Sequence, residues 1–118
     1  RDLMLVIDLS ESMQVKDFLL DDEPVDRLVA LKHVAREFIA RRTGDRIGLV
    51  LFGAQAYLNV PLTFDRPTVA RMLDETEIGL AGRSTAIGDA IGLAAKRLRD
   101  QEAPVKTIIL MTDGANTS

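Results

Sequence analysis

The stretch Leu3–Ser12, with the sequence LMLVIDLSES, decides the fold class of this chain of 118 residues. Its apolar run, Leu3–Ile7, is typical of a strand that is buried on both faces in the middle of a parallel sheet. Asp8 would then lie at the carboxyl end of the strand, which is where ligands bind in open α/β sheets. The oxygen atoms of Asp8, Ser10 and Ser12 could surround one hard cation. The same residue types also end strands by bonding backbone N–H groups, so this spacing alone leaves both interpretations open.

The composition excludes several classes of protein. A net charge of −3, a pI near 5.1 and 4% aromatic residues argue against the basic grooves and stacking surfaces that bind nucleic acid. Without cysteine, the chain has no disulfide, no thiolate zinc site and no cysteine nucleophile. The apolar runs have the length of strands, so we predict no transmembrane span and no membrane contact by this segment. One domain over residues 1–118 is the expected organisation.

Strand and helix patterns alternate along the chain. Apolar residues at helical spacing predict an amphipathic helix over Asp26–Arg42, with Gly44 as its C-terminal stop. A second buried strand is predicted over Ile47–Phe52. After a short loop, Ala56–Val60 should return antiparallel to it as an edge strand that ends at Pro61.

Three other segments have weaker patterns. A short helix is predicted over Arg66–Leu73. Residues 79–92 lead from a glycine-rich loop into a helix that reaches Arg99, and they lack the lysine and the spacing of a phosphate-binding loop. We interpret Gly88 and Gly92, with Ala86, Ala90 and Ala94, as a smooth helix face that packs closely on the sheet. Residues 13–24 are expected to form a solvated loop rather than a second cation site, although they include the acids Asp17, Asp21, Asp22 and Glu23.

The segment Val105–Gly114 repeats the opening pattern, since an apolar run is again followed by an aspartate, Asp113. If this strand is a parallel neighbour of the first, the carboxylates of Asp8 and Asp113 come close together. Two carboxylates at such a distance repel each other unless a cation lies between them. The repetition therefore favours a metal site.

Taken together, these residues resemble the von Willebrand factor A domain, whose metal-ion-dependent adhesion site reads Asp-x-Ser-x-Ser, then a loop threonine, then an aspartate after a strand. The residues that match this motif, and that we predict as metal ligands, are Asp8, Ser10, Ser12, Thr85 and Asp113. Glu11 stands where many members have glycine and should alter the mouth of the site. Within the family the chain is most similar to bacterial aerotolerance (Bat-type) proteins, through Pro61–Thr63 and residues 78–91.

The resemblance implies a fold and a metal. The expected fold is α/β: a Rossmann-like, doubly wound, mostly parallel sheet with one antiparallel edge strand, C-terminally truncated, so that residues 1–118 form one incomplete domain. The expected ion is Mg²⁺, with Mn²⁺ and Ca²⁺ as alternatives. In the family's arrangement Ser10 and Ser12 bind the ion directly, and Asp8 and Asp113 act mainly through water. Thr85 completes the coordination shell of the ion in some states.

The resemblance also implies a function. Neutral hydroxyl ligands leave the positive charge of the ion under-compensated, so an open position favours a carboxylate from a protein partner that offers an acidic residue. The chain would then be a binding module and not an enzyme, within a bacterial stress or aerotolerance complex that involves a MoxR-type ATPase. The parent protein would be anchored in the bacterial inner membrane, with this segment itself soluble.

Two alternatives remain at this stage. A Mg²⁺-dependent phosphotransferase of the haloacid-dehalogenase type also places an aspartate at the end of its first strand, but it needs a second aspartate where this chain has Ser10. A structural domain of the same fold with an unused site is the other alternative. The complete set of matching ligands argues against it.

We predict that this chain self-associates, either through the edge Thr107–Met111 or through the apolar surface that further helices of the family's fold would cover. The family's sheet continues past Asp113, whereas this sequence ends at Ser118, so the strand should be an edge with apolar residues on both faces and no interior proline or lysine. Exposed edges of this kind recruit other strands. Light scattering coupled to size-exclusion chromatography over a dilution series measures the oligomeric state, and a stable monomer at high concentration would contradict the prediction.

Overall fold

The computed structural model describes residues 1–10, 13, 18–20, 23–77 and 86–112. In chain order the elements are β1 (Asp2–Asp8), β2 (Phe18–Leu20), β3 (Glu23–Val25), α1 (Arg27–Ala40), β4 (Arg46–Phe52), β5 (Ala56–Thr63), α2 (Arg66–Asp74), α3 (Ile87–Arg99) and β6 (Lys106–Met111). This alternation of strands and helices is the α/β class predicted from the sequence.

The main sheet has four strands in the order β5-β4-β1-β6. β1 is parallel to both of its neighbours, β4 and β6, and β5 is antiparallel to β4. Helical connections allow a chain to return parallel to the strand it left, whereas the short loop after β4 allows only an antiparallel return. The predicted topology is confirmed.

The core lies on both faces of β1, as expected for a doubly wound sheet. Leu3, Leu5 and Ile7 pack with α1 and α2 on one face. Met4 and Val6 pack with α3 on the other. All seven residues of β1 are buried, which explains why its sequence is a continuous apolar run rather than an alternation.

The ends of α1 follow the sequence signals. The Asp26 side chain accepts a hydrogen bond of 2.8 Å from the backbone N–H of Val29, as an N-cap should. The helix ends at Ala40, two residues before the predicted end at Arg42. Gly44 then takes a φ of +85°, a conformation that glycine adopts without strain.

β5 continues past the proline that was predicted to end it. Val60 pairs with Leu49, while Thr63 pairs with Ile47, so β5 has one extra residue in this interval and forms a β-bulge. Pro61 lies within the bulge. A proline lacks the N–H that a sheet requires, and it is tolerated here because β5 is an edge strand and the ladder is already interrupted.

The segment predicted as a loop includes a short antiparallel ribbon, in which β2 pairs with β3. Strands of three residues are too short to show a period of two in the sequence, so this pairing could not be recognised there. β2 lies against α1. The acids Asp17, Asp21 and Asp22 lie outside the described residues, so the expectation of a solvated acidic loop stays a prediction.

The predicted smooth face of α3 packs on the sheet through Ala90 and Ala94, but the interpretation was wrong for the two glycines. Gly88 and Gly92 are exposed, and a Cβ atom added at either would meet nothing within 4 Å. The buried face of α3 consists instead of Ala90, Ala94 and Leu98. The helical repeat of 3.6 residues places Gly88 and Gly92 on a different stripe of the helix from these residues.

β6 lies at the edge of the described sheet, and Leu110 keeps 38% of its surface exposed. Self-association through this edge stays a prediction. Within the ranges that the structure describes, no helix is both long and apolar enough to cross a membrane.

Replacing Gly92 with alanine should raise the free energy of unfolding by about 1 kcal/mol, because glycine is a poor residue for an exposed helix interior. Gly48→Ala is the control, because it should lower the free energy of unfolding. Its new Cβ would lie 2.6 Å from Met4 Sδ and 3.0 Å from the Val60 carbonyl oxygen, and such overpacking costs about 1–3 kcal/mol. Urea denaturation followed by circular dichroism measures both changes. A Gly92→Ala variant less stable than the parent would contradict the exposed position of this glycine.

Candidate metal-binding site

Asp8 ends β1 with its side chain buried, at 0% exposure. Its Oδ1 atom accepts a hydrogen bond of 2.8 Å from the backbone N–H of Ser10. Its Oδ2 atom accepts one of 2.5 Å from the Thr112 hydroxyl. The register explains the second contact, since Ile7 pairs with Met111 and the next residues of the two strands emerge side by side.

The charge of Asp8 is not neutralised by any side chain that the structure describes. In those parts of the chain, no lysine, arginine or histidine forms an ion pair with this carboxylate. Burying a carboxylate without a compensating charge is costly, and two hydrogen bonds offset only part of the cost. A cation at this end of β1 would supply the missing compensation.

At the opposite end of β1, a second buried carboxylate is neutralised by a side chain. Asp2 is also buried, at 1% exposure. Its two oxygen atoms accept hydrogen bonds from Arg46, 2.8 Å from Nε to Oδ1 and 2.6 Å from Nη2 to Oδ2. These bonds raise the pKa of the Arg46 guanidinium above its ordinary value, and Nη2 also donates to Gln101 at 2.8 Å. One end of the strand is therefore neutralised by a side chain.

The carboxyl edge of the sheet also gathers the sequence neighbours of the other predicted ligands. The backbone N–H of Ala86, the residue after Thr85, donates to the carbonyl oxygen of Gly53 at 2.5 Å, and Gly53 directly follows β4. Thr112, the residue before Asp113, bonds Asp8. The predicted ligands Ser12, Thr85 and Asp113 themselves lie outside the described residues.

The donor types at this edge fit a hard cation. Asp8 and Ser10, which is 4% exposed, offer a carboxylate and a hydroxyl, and oxygen atoms are the ligands that Mg²⁺ and Ca²⁺ prefer. Three or more histidine, cysteine, aspartate or glutamate residues do not cluster in a metal-binding arrangement anywhere in the described ranges. The site is thus predicted to combine few carboxylates with several hydroxyls.

Thr112 is the residue of this site that sequence reasoning missed. Its contact with Asp8 joins residues 104 positions apart, which no local pattern reveals. The available signal was its place between an apolar strand and a predicted ligand, Asp113.

A family model described as the von Willebrand factor type A domain matches residues 3–116, and the chain belongs to this family. Two solved structures have the same fold. A membrane-spanning protein from Vibrio fischeri is 54% identical with a TM-score of 0.82, over 99% of this chain and 58% of that one. An aerotolerance-related membrane protein from Bacteroides fragilis is 29% identical with a TM-score of 0.88, over 99% of this chain and 56% of that one.

The curated relatives are longer proteins. An uncharacterised protein from Borreliella burgdorferi is 36% identical over 117 residues, which are 99% of this chain and 33% of the relative. The chain therefore spans about a third of that relative and somewhat more than half of the two solved chains. These matches confirm the resemblance to the family and to its aerotolerance-related members.

Replacing Arg46 with methionine should lower the free energy of unfolding by about 3 kcal/mol, because Asp2 would remain buried and charged without a partner. The double variant Asp2→Asn/Arg46→Met should recover most of this loss, since it removes both charges. Chemical denaturation at neutral pH of the parent, the two single variants and the double variant measures the coupling. If the losses of the single variants simply add, the ion pair does not have the role that its geometry indicates.

Proposed function

We propose that this domain is a metal-dependent protein-binding module that recognises a carboxylate of its partner. The observation that carries the proposal is the buried Asp8 carboxylate, which ends the central strand without a cationic side chain in contact among the described residues. It lies at the edge where α/β sheets bind their ligands. The resemblance to the family implies a metal site that includes Asp8, and this supports the proposal.

The proposed ligands are Asp8, Ser10, Ser12, Thr85 and Asp113, with Mg²⁺ as the ion and Mn²⁺ or Ca²⁺ as alternatives. When bound, the ion supplies a positive charge that attracts a carboxylate from the partner. The chain's own residues prepare this contact. Asp8 is held by hydrogen bonds on both oxygen atoms. The groups that would bind the ion directly, Ser10 and Ser12, are neutral hydroxyls, so its positive charge would be only partly balanced.

A binding role is favoured over catalysis. Domains of this family are in general interaction modules rather than enzymes. The position two residues after Asp8, where a phosphotransferase of the haloacid-dehalogenase type needs a second aspartate, is Ser10. A hydroxyl at that position does not replace a carboxylic acid as a proton donor, because its pKa is far too high.

The cellular setting is proposed from the solved relatives. The Vibrio fischeri protein is described as membrane-spanning, and the Bacteroides fragilis protein as an aerotolerance-related membrane protein. We propose that the parent of this domain is anchored in the bacterial inner membrane and acts in a stress or aerotolerance complex, with a MoxR-type ATPase system as the candidate partner.

Mg²⁺ should stabilise the parent against thermal unfolding, and Asp113→Ala should abolish this effect. A ligand that binds only the folded state stabilises it by about 2.7 kcal/mol at a hundredfold excess over its Kd. Thermal melts in EDTA and in excess Mg²⁺ measure the difference. Asp100→Ala is the matched control, because Asp100 is exposed and follows α3 at the far end of the sheet. Equal stabilisation of Asp113→Ala and the parent would refute the site.

The same variants test partner binding. Proteins retained from a bacterial lysate by the parent in Mg²⁺ should be released by EDTA and should not be retained by Asp113→Ala. Asp100→Ala should retain them as the parent does. Retention that is insensitive to both EDTA and Asp113→Ala would assign partner binding to another surface.

A further inference from the structure

We propose that a cavity between β5 and the end of α2, beside the predicted metal site, binds a basic side chain of the partner through Tyr57, Asn59 and Glu75. The partner would therefore carry a lysine or an arginine close to the carboxylate that the ion attracts. This inference rests on the proposed function and deepens it, because it names a second chemical feature of the partner.

The cavity has a volume of about 170 Å³ and combines apolar and polar walls. Leu51, which is buried, and Met72, which is half-buried, supply the apolar atoms. Tyr57, Asn59 and Glu75 supply the polar groups, and Tyr57 and Glu75 are exposed to solvent. Lysine and arginine have the matching construction, since each has an apolar stem that ends in a charged head.

Glu75 gives the cavity its negative charge. Among the residues that the structure describes, its carboxylate forms no ion pair. Glu75 is also the C-cap of α2, where the negative end of the helix dipole lies. A cation of the chain already binds this helix end, because Lys32 Nζ donates to the carbonyl oxygens of Asp74 at 3.0 Å and Thr76 at 2.6 Å. The end of α2 therefore attracts cations, and the Glu75 carboxylate is available to one from outside.

β5 contributes two further groups that suit a basic side chain. The ring of Tyr57 is 41% exposed, and the face of a tyrosine ring attracts an ammonium or guanidinium group. Partial burial raises the pKa of the Tyr57 hydroxyl, so this group stays neutral and can form hydrogen bonds. Asn59 also lines the cavity, and its amide oxygen can accept a hydrogen bond from the charged head.

The strand register places this cavity near the predicted metal site. Asp8 pairs with Phe52, and Phe52 pairs with Ala56, the residue before Tyr57. Only β4 separates β1 from β5, so these two strands lie about 10 Å apart. In an extended peptide this distance corresponds to about three residues. A partner segment with a carboxylate and a basic residue about three positions apart would therefore reach both places.

NMR titration of the isotope-labelled protein in excess Mg²⁺ tests the proposal with two short peptides. Each carries a glutamate and, after two glycines, either arginine or its neutral isostere citrulline. We expect the arginine peptide to bind about fivefold more tightly at low salt, which is the size of a favourable, partly exposed charge pair. The signals of Tyr57 and Asn59 should shift more with arginine than with citrulline.

Two variants assign the preference to the cavity. Glu75→Gln should remove it, because the carboxylate that pairs with the guanidinium is lost. Glu77→Gln is the matched control, since Glu77 is an exposed acid of the same chain segment that does not line the cavity, and it should keep the preference. Tyr57→Leu should weaken the preference without removing it.

The outcomes separate this inference from the function on which it rests. Equal affinities for the two peptides, both dependent on Mg²⁺, would overturn the inference and leave the proposed function standing. An equal loss of preference in Glu75→Gln and Glu77→Gln would also overturn it, because the preference would then reflect overall charge. A preference that requires Glu75 but persists unchanged in EDTA would support the cavity and refute metal-dependent binding. If neither peptide binds in Mg²⁺, both proposals fail.

Discussion

Complete burial of β1 is the constraint on which the rest of the structure depends. All seven of its residues are buried, so both faces of the sheet need a helical cover. α1 and α2 provide it on one face and α3 on the other. The parallel pairing of β1 with β4 and β6 follows from these helical connections. Burial extends to both ends of the strand, where Asp2 and Asp8 each bring a carboxylate into the interior.

The surroundings of these two carboxylates differ. At the amino end, Arg46 is a permanent part of the chain, so the charge of Asp2 is always balanced. At the carboxyl end, the described residues give Asp8 two hydrogen bonds and no opposite charge. Among the described residues, Asp8 is therefore held by hydrogen bonds alone, and the ion that we propose for this end of the strand would supply the opposite charge.

Much of the fold was determined by the sequence itself. The continuous apolar run of β1 predicted a central strand that is covered on both faces, and its repetition in β6 predicted a parallel neighbour of that strand. Helical spacing located α1, and its N-cap aspartate located the start, because these signals depend on neighbours within one turn. The Asp-x-Ser-x-Ser motif likewise predicted Asp8 and Ser10 at the end of β1, where the structure places them.

Only the tertiary structure decided which distant residues meet. The Asp2–Arg46 pair joins positions 44 residues apart and the Asp8–Thr112 bond positions 104 apart, and both follow from strand register. The β-bulge that accommodates Pro61 and the exposed face that carries Gly92 were also decided at this level. Local patterns report the period of an element. They do not report which stripe of a helix contacts the sheet, or which residue lies opposite in the next strand, because those depend on packing between elements far apart in the chain.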